Sequence, residues 1–268
     1  MSQQTLLAPP LKTNVLGMGV SRTNYQECTD FIIQCAKLKQ CCTVAATNVH
    51  SITTGYLEPK GHGYVLRHFT LVTPDGQPIR WALNLLGKPG DEKLPDRVRG
   101  PQLMLDVCQR AATENISVFL YGSTEKVLAD LQISLKQRFP QLKIAGAISP
   151  PFRPLSPEED AAYMEQIHNS GARIILVSLG CPRQEAWAFE HRHVLPYPLL
   201  CVGAAFDFYA GNVPEAPEWM QKVGLEWFYR LYKEPRRLWK RYVLLNPLYL
   251  FLLSLQLLHL LPVDKYKE

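Results

Sequence analysis

Apolar and polar positions along the chain alternate between short β-type runs and amphipathic stretches. Residues 42–47 (CTVAAT) read as a strand that leads into a helical start over NVHSITTGYLE, and 69–73 (FTLVT) read as a second strand before a helix over QPIRWALNLLG. A helix over 101–114 precedes the strand SVFLYG at 117–122. TEKVLADLQISLKQRF then places apolar residues at 127, 128, 131, 135 and 139, one face of a helix. The next strand is 142–148 (LKIAGAI), and after the loop SPPFRPLSP the pair Ser156 and Glu159 has the spacing of a capping box. ARIILVSLG (172–180) is nearly all apolar, as a strand buried on both faces must be. CPRQEAWAFEH reads as a helix and PLLCVGAAFDF as another buried strand. This alternation predicts an α/β fold with a mostly parallel, Rossmann-like sheet flanked by helices. Past Gly211 the pattern turns to helices alone, so the boundary is drawn there: an α/β domain over 1–211 and a helical C-terminal appendage over 212–268.

With 268 residues and 47% hydrophobic content, the chain can bury a full core. The net charge of +5 is mild but concentrated. Between Lys222 and Arg241 seven basic residues face only Glu226 and Glu234, which leaves the rest of the chain near neutral. Seven cysteines show no CxxC pair, and MSQQTLLAPPLKT has neither a charged n-region nor an apolar h-region. A reducing, cytosolic setting with free thiols is expected, and zinc ligation has no support.

Candidate chemistry clusters where strands end. LVTPDG delivers Asp75 between Pro74 and Gly76 as an apolar run stops. A tight turn would explain the tripeptide, but strand ends in α/β folds also hold ligands, so the carboxylate is a candidate for chemistry. In SLGCPRQEAW, Gly180 closes a strand, Pro182 suits a first helical turn, and Gln184 and Glu185 lie within that turn. Free N–H groups and the helix dipole there would favour a diphosphate; an ordinary strand–helix junction explains the stretch equally well. VGAAFDFYAG sets Asp207 after another buried strand, so Asp75, Gln184 and Asp207 are expected on one rim of the sheet. GMG at 17–19 lacks the third glycine of a dinucleotide fingerprint, since position 22 is Arg22. No P-loop, GxSxG or Asp-x-Asp occurs, and the last absence disfavours a metal-held diphosphate; no metal or cofactor is expected. The C-terminal stretch interleaves Arg and Lys with aromatics and then runs apolar from Tyr242 to Leu261. A membrane-spanning helix, a buried core helix and an interfacial segment all compete; the interfacial reading fits best. Nucleic acid would also suit interleaved Arg and aromatics, but the leucine tail argues for a membrane surface instead.

The stretches TNVHSI, LVTPDGQPIRW, LPDRVRGPQLM, VFLYGSTEKV, PPFRPLSPEED, LGCPRQEAW, VGAAFDFYAGNVPEAPEWMQKVGLEWFYRL and EPRRLWKRY, in this order, resemble the WecG/TagA/CpsF glycosyltransferases from about residue 14 to residue 250. The resemblance implies a Rossmann-like domain with a helical, membrane-associating appendage. It also implies transfer of an N-acetylmannosamine-type sugar from a UDP donor to a polyprenyl-pyrophosphate-linked acceptor, at the cytoplasmic face of the membrane, for cell-surface polysaccharide. By the same resemblance Asp75 is the catalytic base, Gln184 a further active-site residue, and Arg230, Arg236, Arg237 and Arg241 contacts of the acceptor pyrophosphate. Inverting transfer must also stabilise the departing UDP, for which the turns near Gly100 and Gly180 and the side chain of Arg97 or of the appendage arginines are candidates. Thr47, Asn48, Gly122 and Asp207 complete the expected substrate-binding positions. Relatives commonly carry Thr two residues before the asparagine, where this chain has Ala46. Relatives also point to self-association, which no residue pattern here carries. A transferase for another UDP-hexose and a non-catalytic, membrane-attached UDP-sugar-binding scaffold stand as alternatives.

Overall fold

The computed structural model describes residues 7–263, apart from the side chains of Arg237 and Arg241. In chain order the elements are β1 (Lys12–Val15), β2 (Met18–Ser21), α1 (Tyr25–Leu38), β3 (Thr43–Thr47), α2 (Val49–Leu57), α3 (His62–Arg67), β4 (Leu71–Pro74), α4 (Gln77–Leu86), α5 (Gly100–Thr113), β5 (Ser117–Gly122) and α6 (Glu125–Arg138). They continue through β6 (Lys143–Ile148), α7 (Pro157–Asn169), β7 (Ile174–Ser178), α8 (Arg183–His191), β8 (Leu199–Cys201), α9 (Ala205–Tyr209), α10 (Glu218–Val223), α11 (Glu226–Lys233) and α12 (Pro235–Leu257).

Six strands form one sheet in the order β4-β3-β8-β7-β5-β6, every neighbouring pair parallel. Helices cover both faces, so β7 (IILVS) is buried at every position and its sequence is apolar almost throughout. Strand alternation divides the core in two. Val118, Leu120, Leu176 and Leu200 point to one side, where α1, α5 and α6 supply Ile32, Met104 and Leu131. Phe119, Tyr121, Ile175 and Val177 point to the other, against Ile52, Ile79, Trp187 and Tyr249. The capping box at Ser156 is present, with both reciprocal hydrogen bonds.

Two segments depart from the sequence expectation. β1 and β2 make an antiparallel hairpin whose two-residue turn holds Leu16 at φ 51° and Gly17 at φ 85°. Two consecutive left-handed residues are what a type I′ hairpin requires, so Gly17 of the GMG run serves this turn, while Gly19 pairs with Asn14 within β2. PLLCVGAAFDF is not one strand. The ladder to β3 and β7 stops at Cys201, Gly203 turns at φ 58°, and Ala205–Tyr209 is helical.

α12 packs back onto the α/β layers. Tyr249 is fully buried and its hydroxyl donates to the Pro78 carbonyl at 3.2 Å. Gln256 accepts from Leu16 N (2.8 Å) and donates to Asn14 O (2.9 Å), tying the helix to the hairpin. Leu252 and Leu253 are buried beside them, while Leu244, Leu250 and Phe251 on the same helix are exposed. The helix therefore satisfies the core reading along one side and leaves an apolar stripe on the other. No helix among the described residues is long and apolar enough to cross a membrane. Tyr249→Ala is expected to destabilise the fold by about 3–5 kcal/mol in urea unfolding. Phe251→Ala, at an exposed position, is expected to stay within about 0.5 kcal/mol of the parent.

Candidate active site

The parallel sheet ends its strands on one edge, and the polar residues that follow them meet there. After β3, Asn48 caps α2 by accepting from Ser51 N at 3.3 Å. Thr47 pairs in register with Pro74, and Asp75 N donates to Thr47 O at 2.9 Å, which fixes Asp75 one residue beyond the end of β4. The chain returns to this strand end at Val98, whose N–H donates to Pro74 O at 3.0 Å. Val98 is buried in the core, and its neighbours Arg97 and Arg99 both reach toward α11. After β7, Gln184 sits in the first turn of α8 and is 3% exposed. Its Nε2 donates to Glu185 Oε1 (2.9 Å) and its Oε1 accepts from Gly203 N (3.2 Å), so both ends of the amide are held.

These groups line a cleft of about 250 Å³, together with residues of α11 and α12. Asn48, Asp75, Arg97, Gly180 and Gln184 come from the sheet edge; Glu226, Trp227 and Arg230 come from α11; Tyr242 and Asn246 come from α12. Arg97 Nη2 donates to Glu226 Oε2 (2.9 Å), and Arg99 Nη2 donates to Glu226 Oε1 (3.1 Å) and Glu215 Oε1 (3.0 Å). Asp75 Oδ2 accepts from Gly100 N at 3.4 Å, at the start of α5. Burial pushes the Asp75 carboxyl above the ordinary aspartate range, the Glu226 carboxylate adds to this, and Arg97, Arg99 and the Gly100 N–H oppose it. For Glu226, burial pulls upward, but Arg99 and Arg97 outweigh it and hold the carboxyl below the usual range. Arg230 lies 5.6 Å from the Phe208 ring centroid, and its buried Nε has no hydrogen-bond partner among the described residues.

The expected positions divide. Asn48, Asp75, Arg97, Gly180, Gln184 and Arg230 share the cleft, and Gly100 touches it through its bond to Asp75. Thr47 is buried with its hydroxyl donating to Ala45 O at 3.3 Å, so it does not stand in for the hydroxyl absent at Ala46, which itself lines the cleft. Gly122 packs between strands: a Cβ there would lie 2.3 Å from Ser178 O. Asp207 is in α9 rather than at a strand end; its neighbour Phe208 lines the cleft, and it does not. Arg236 is exposed on the first turn of α12 and is not a lining residue. The side chains of Arg237 and Arg241 lie outside the described residues.

Sequence reasoning missed Glu226, Arg99, Tyr242 and Asn246. Two signals were available: Glu226 is the one acid between Lys222 and Lys233, and Asn246 is a polar break in an apolar run. Among the described residues, no group of three or more His, Cys, Asp or Glu side chains could hold a metal ion.

The family model of the Glycosyl transferase WecG/TagA/CpsF family matches residues 13–261. The chain belongs to this family. The cleft holds one carboxylate, Asp75, whose proton affinity is raised, and Arg97 and Arg230 are among its lining residues. Because Asp75 binds its proton more tightly folded than unfolded, ionising it opposes folding: stability falls as pH rises from the ordinary aspartate range through the folded value. Asp75→Asn is therefore expected to be more stable than the parent at pH 7, with the gap closing as pH falls toward the ordinary aspartate pKa, as read by urea unfolding across that range. A variant less stable than the parent at pH 7 would show that Arg97 and Arg99 outweigh the burial of the carboxylate.

Proposed function

We propose that the chain moves an N-acetylmannosamine-type hexose from a UDP donor to a polyprenyl-pyrophosphate-linked acceptor with inversion, at the cytoplasmic face of a membrane, for cell-surface polysaccharide. The observation that carries this reading is the Asp75 carboxylate in the cleft at the carboxyl edge of the sheet, with Arg97, Arg230 and Gln184 around it. Asp75 takes the proton of the acceptor hydroxyl as that oxygen attacks the anomeric carbon from the face opposite UDP. The bond from that carbon to the phosphate oxygen breaks, and UDP leaves with the electron pair. A proton affinity above that of an exposed aspartate strengthens the base. Arg97 and Arg230 meet the charge growing on the diphosphate; the guanidinium fork suits paired phosphate oxygens better than a lysine would. Gln184, fixed at both ends of its amide, positions substrate rather than moving protons.

The lipid half of the reading rests on the outer surface of the last three helices. Trp219, Phe228, Trp239, Leu250 and Phe251 are exposed there, near Lys222, Lys233 and Lys240. Apolar and aromatic side chains entering the acyl boundary, with lysines over anionic headgroups, is the arrangement of an interfacial segment.

Asp75→Asn is expected to keep its affinity for UDP in calorimetry while transfer to a labelled lipid-linked acceptor falls about 10²–10⁴-fold; turnover at the parental rate would remove Asp75 from the chemistry. Replacing Trp239 and Phe251 together by Ser is expected to lower partition onto anionic vesicles severalfold, with transfer to a water-soluble acceptor unchanged. Equal partition of parent and variant would place the membrane contact elsewhere.

A further inference from the structure

Gln77 opens α4 two residues past Asp75, and it lines the cleft although it is only 7% exposed. Gly224, at φ 81° after α10, packs against its stem: a Cβ there would lie 3.1 Å from Gln77 Cγ. The amide is tied by one long hydrogen bond, from Nε2 to Lys222 O at 3.4 Å. That tie fixes which end of the amide is which. A carbonyl oxygen only accepts, so the end facing Lys222 is the NH2 group and Oε1 lies on the other side. Oε1 is closed to solvent and has no hydrogen-bond partner among the described residues. An unpaired buried acceptor costs stability, and a leucine or methionine would fill the same space without that cost. Folding alone therefore gives no reason for an amide here.

What Oε1 lacks is a donor, and this limits what can supply it. An ionised diphosphate offers only acceptor oxygens, which the cations of the cleft serve instead. Arg97 Nη2, also in the cleft, already donates to Gln221 O (3.0 Å) and Glu226 Oε2 (2.9 Å). A hydroxyl or an amide N–H of a ligand fits the need, and these are the groups a hexose presents. The long tie to Lys222 O leaves the amide room to tilt toward such a group.

We propose that Gln77 selects the sugar: its Oε1 accepts a hydrogen bond from one hydroxyl or N–H of a hexose bound beside Asp75. The proposal rests on the transfer reading above and deepens it, by naming a side chain that tells one sugar from another. The hexose is that of the donor or that of the acceptor, and the same chemistry serves either.

Kinetics of the full-length parent and Gln77→Met test this with UDP-N-acetylmannosamine and farnesyl-pyrophosphate-linked N-acetylglucosamine. Each is compared with analogues that lack one hydroxyl or the acetamido group. In the parent, removal of one particular group is expected to lower kcat/KM about tenfold, since Oε1 then stays unpaired in the complex. Gln77→Met has a similar volume and no acceptor. It is expected to lose that discrimination at the same group and at no other, while its calorimetric affinity for UDP stays parental. Gln77→Leu, shorter and equally without the acceptor, is expected to behave alike. A sensitive group on the UDP-hexose assigns Gln77 to the donor; one on the lipid-linked sugar assigns it to the acceptor. Identical discrimination by parent and variants at every group would overturn the proposal and leave the transfer reading intact. A parent that neither binds nor transfers the UDP-hexose would overturn both.

Discussion

Parallel pairing forces all six strands of the main sheet to finish on the same edge, and everything at the cleft follows from that constraint. An antiparallel neighbour would carry its following loop to the far side of the molecule. Here the residues after β3, β4, β7 and β8 arrive together: Asn48, Asp75, Gln184 and Gly203 come from four places in the sequence and line one cleft. Register sharpens the placement, because the pairing of Thr47 with Pro74 and the added bond from Asp75 N to Thr47 O leave the Asp75 backbone little freedom. A carboxylate on a backbone held this way starts near the geometry that the proposed proton transfer needs.

The sheet edge alone would expose those groups to water. The last three helices close over them, and the closure is electrostatic as much as apolar. Glu226 lies between Arg97 and Arg99, and the same carboxylate adds to the proton affinity of Asp75. Buried ion pairs of this kind add little net stability, because the desolvation of each charge offsets most of the attraction. Tyr249 and Gln256 hold the far half of α12 to the core and the hairpin. α11 is held beside it by the Trp227–Tyr242 ring contact at 5.7 Å and over the cleft by the Glu226 pairs with Arg97 and Arg99.

Much of the fold could be read from the sequence because both-face burial leaves a plain signature: Ile174–Ser178 and Ser117–Gly122 are apolar for want of any solvent-facing side. Asp75 and Gln184 were readable for a related reason, since polar residues placed just past such runs stand at strand ends. The reading failed where composition stayed apolar while the backbone changed. Ala205–Tyr209 continues the apolar character of β8, yet Gly203 turns the chain and a helix follows. The partners of Glu226 were beyond reach for another reason: Arg97 and Arg99 are more than a hundred residues away, and nothing local records that meeting. α12 was ambiguous because one sequence serves two environments, buried at Tyr249 and exposed at Phe251.

The central claim is that Asp75, held with raised proton affinity at the carboxyl edge of the sheet, is the group that takes the proton from the acceptor. The pH dependence of kcat/KM for sugar transfer tests it most directly, since its acid limb reports the ionisation of the essential base in the free enzyme. The account predicts an acid limb centred above the ordinary aspartate range. A rate that stays constant down to that range, or a limb at the value of an exposed aspartate, would contradict it.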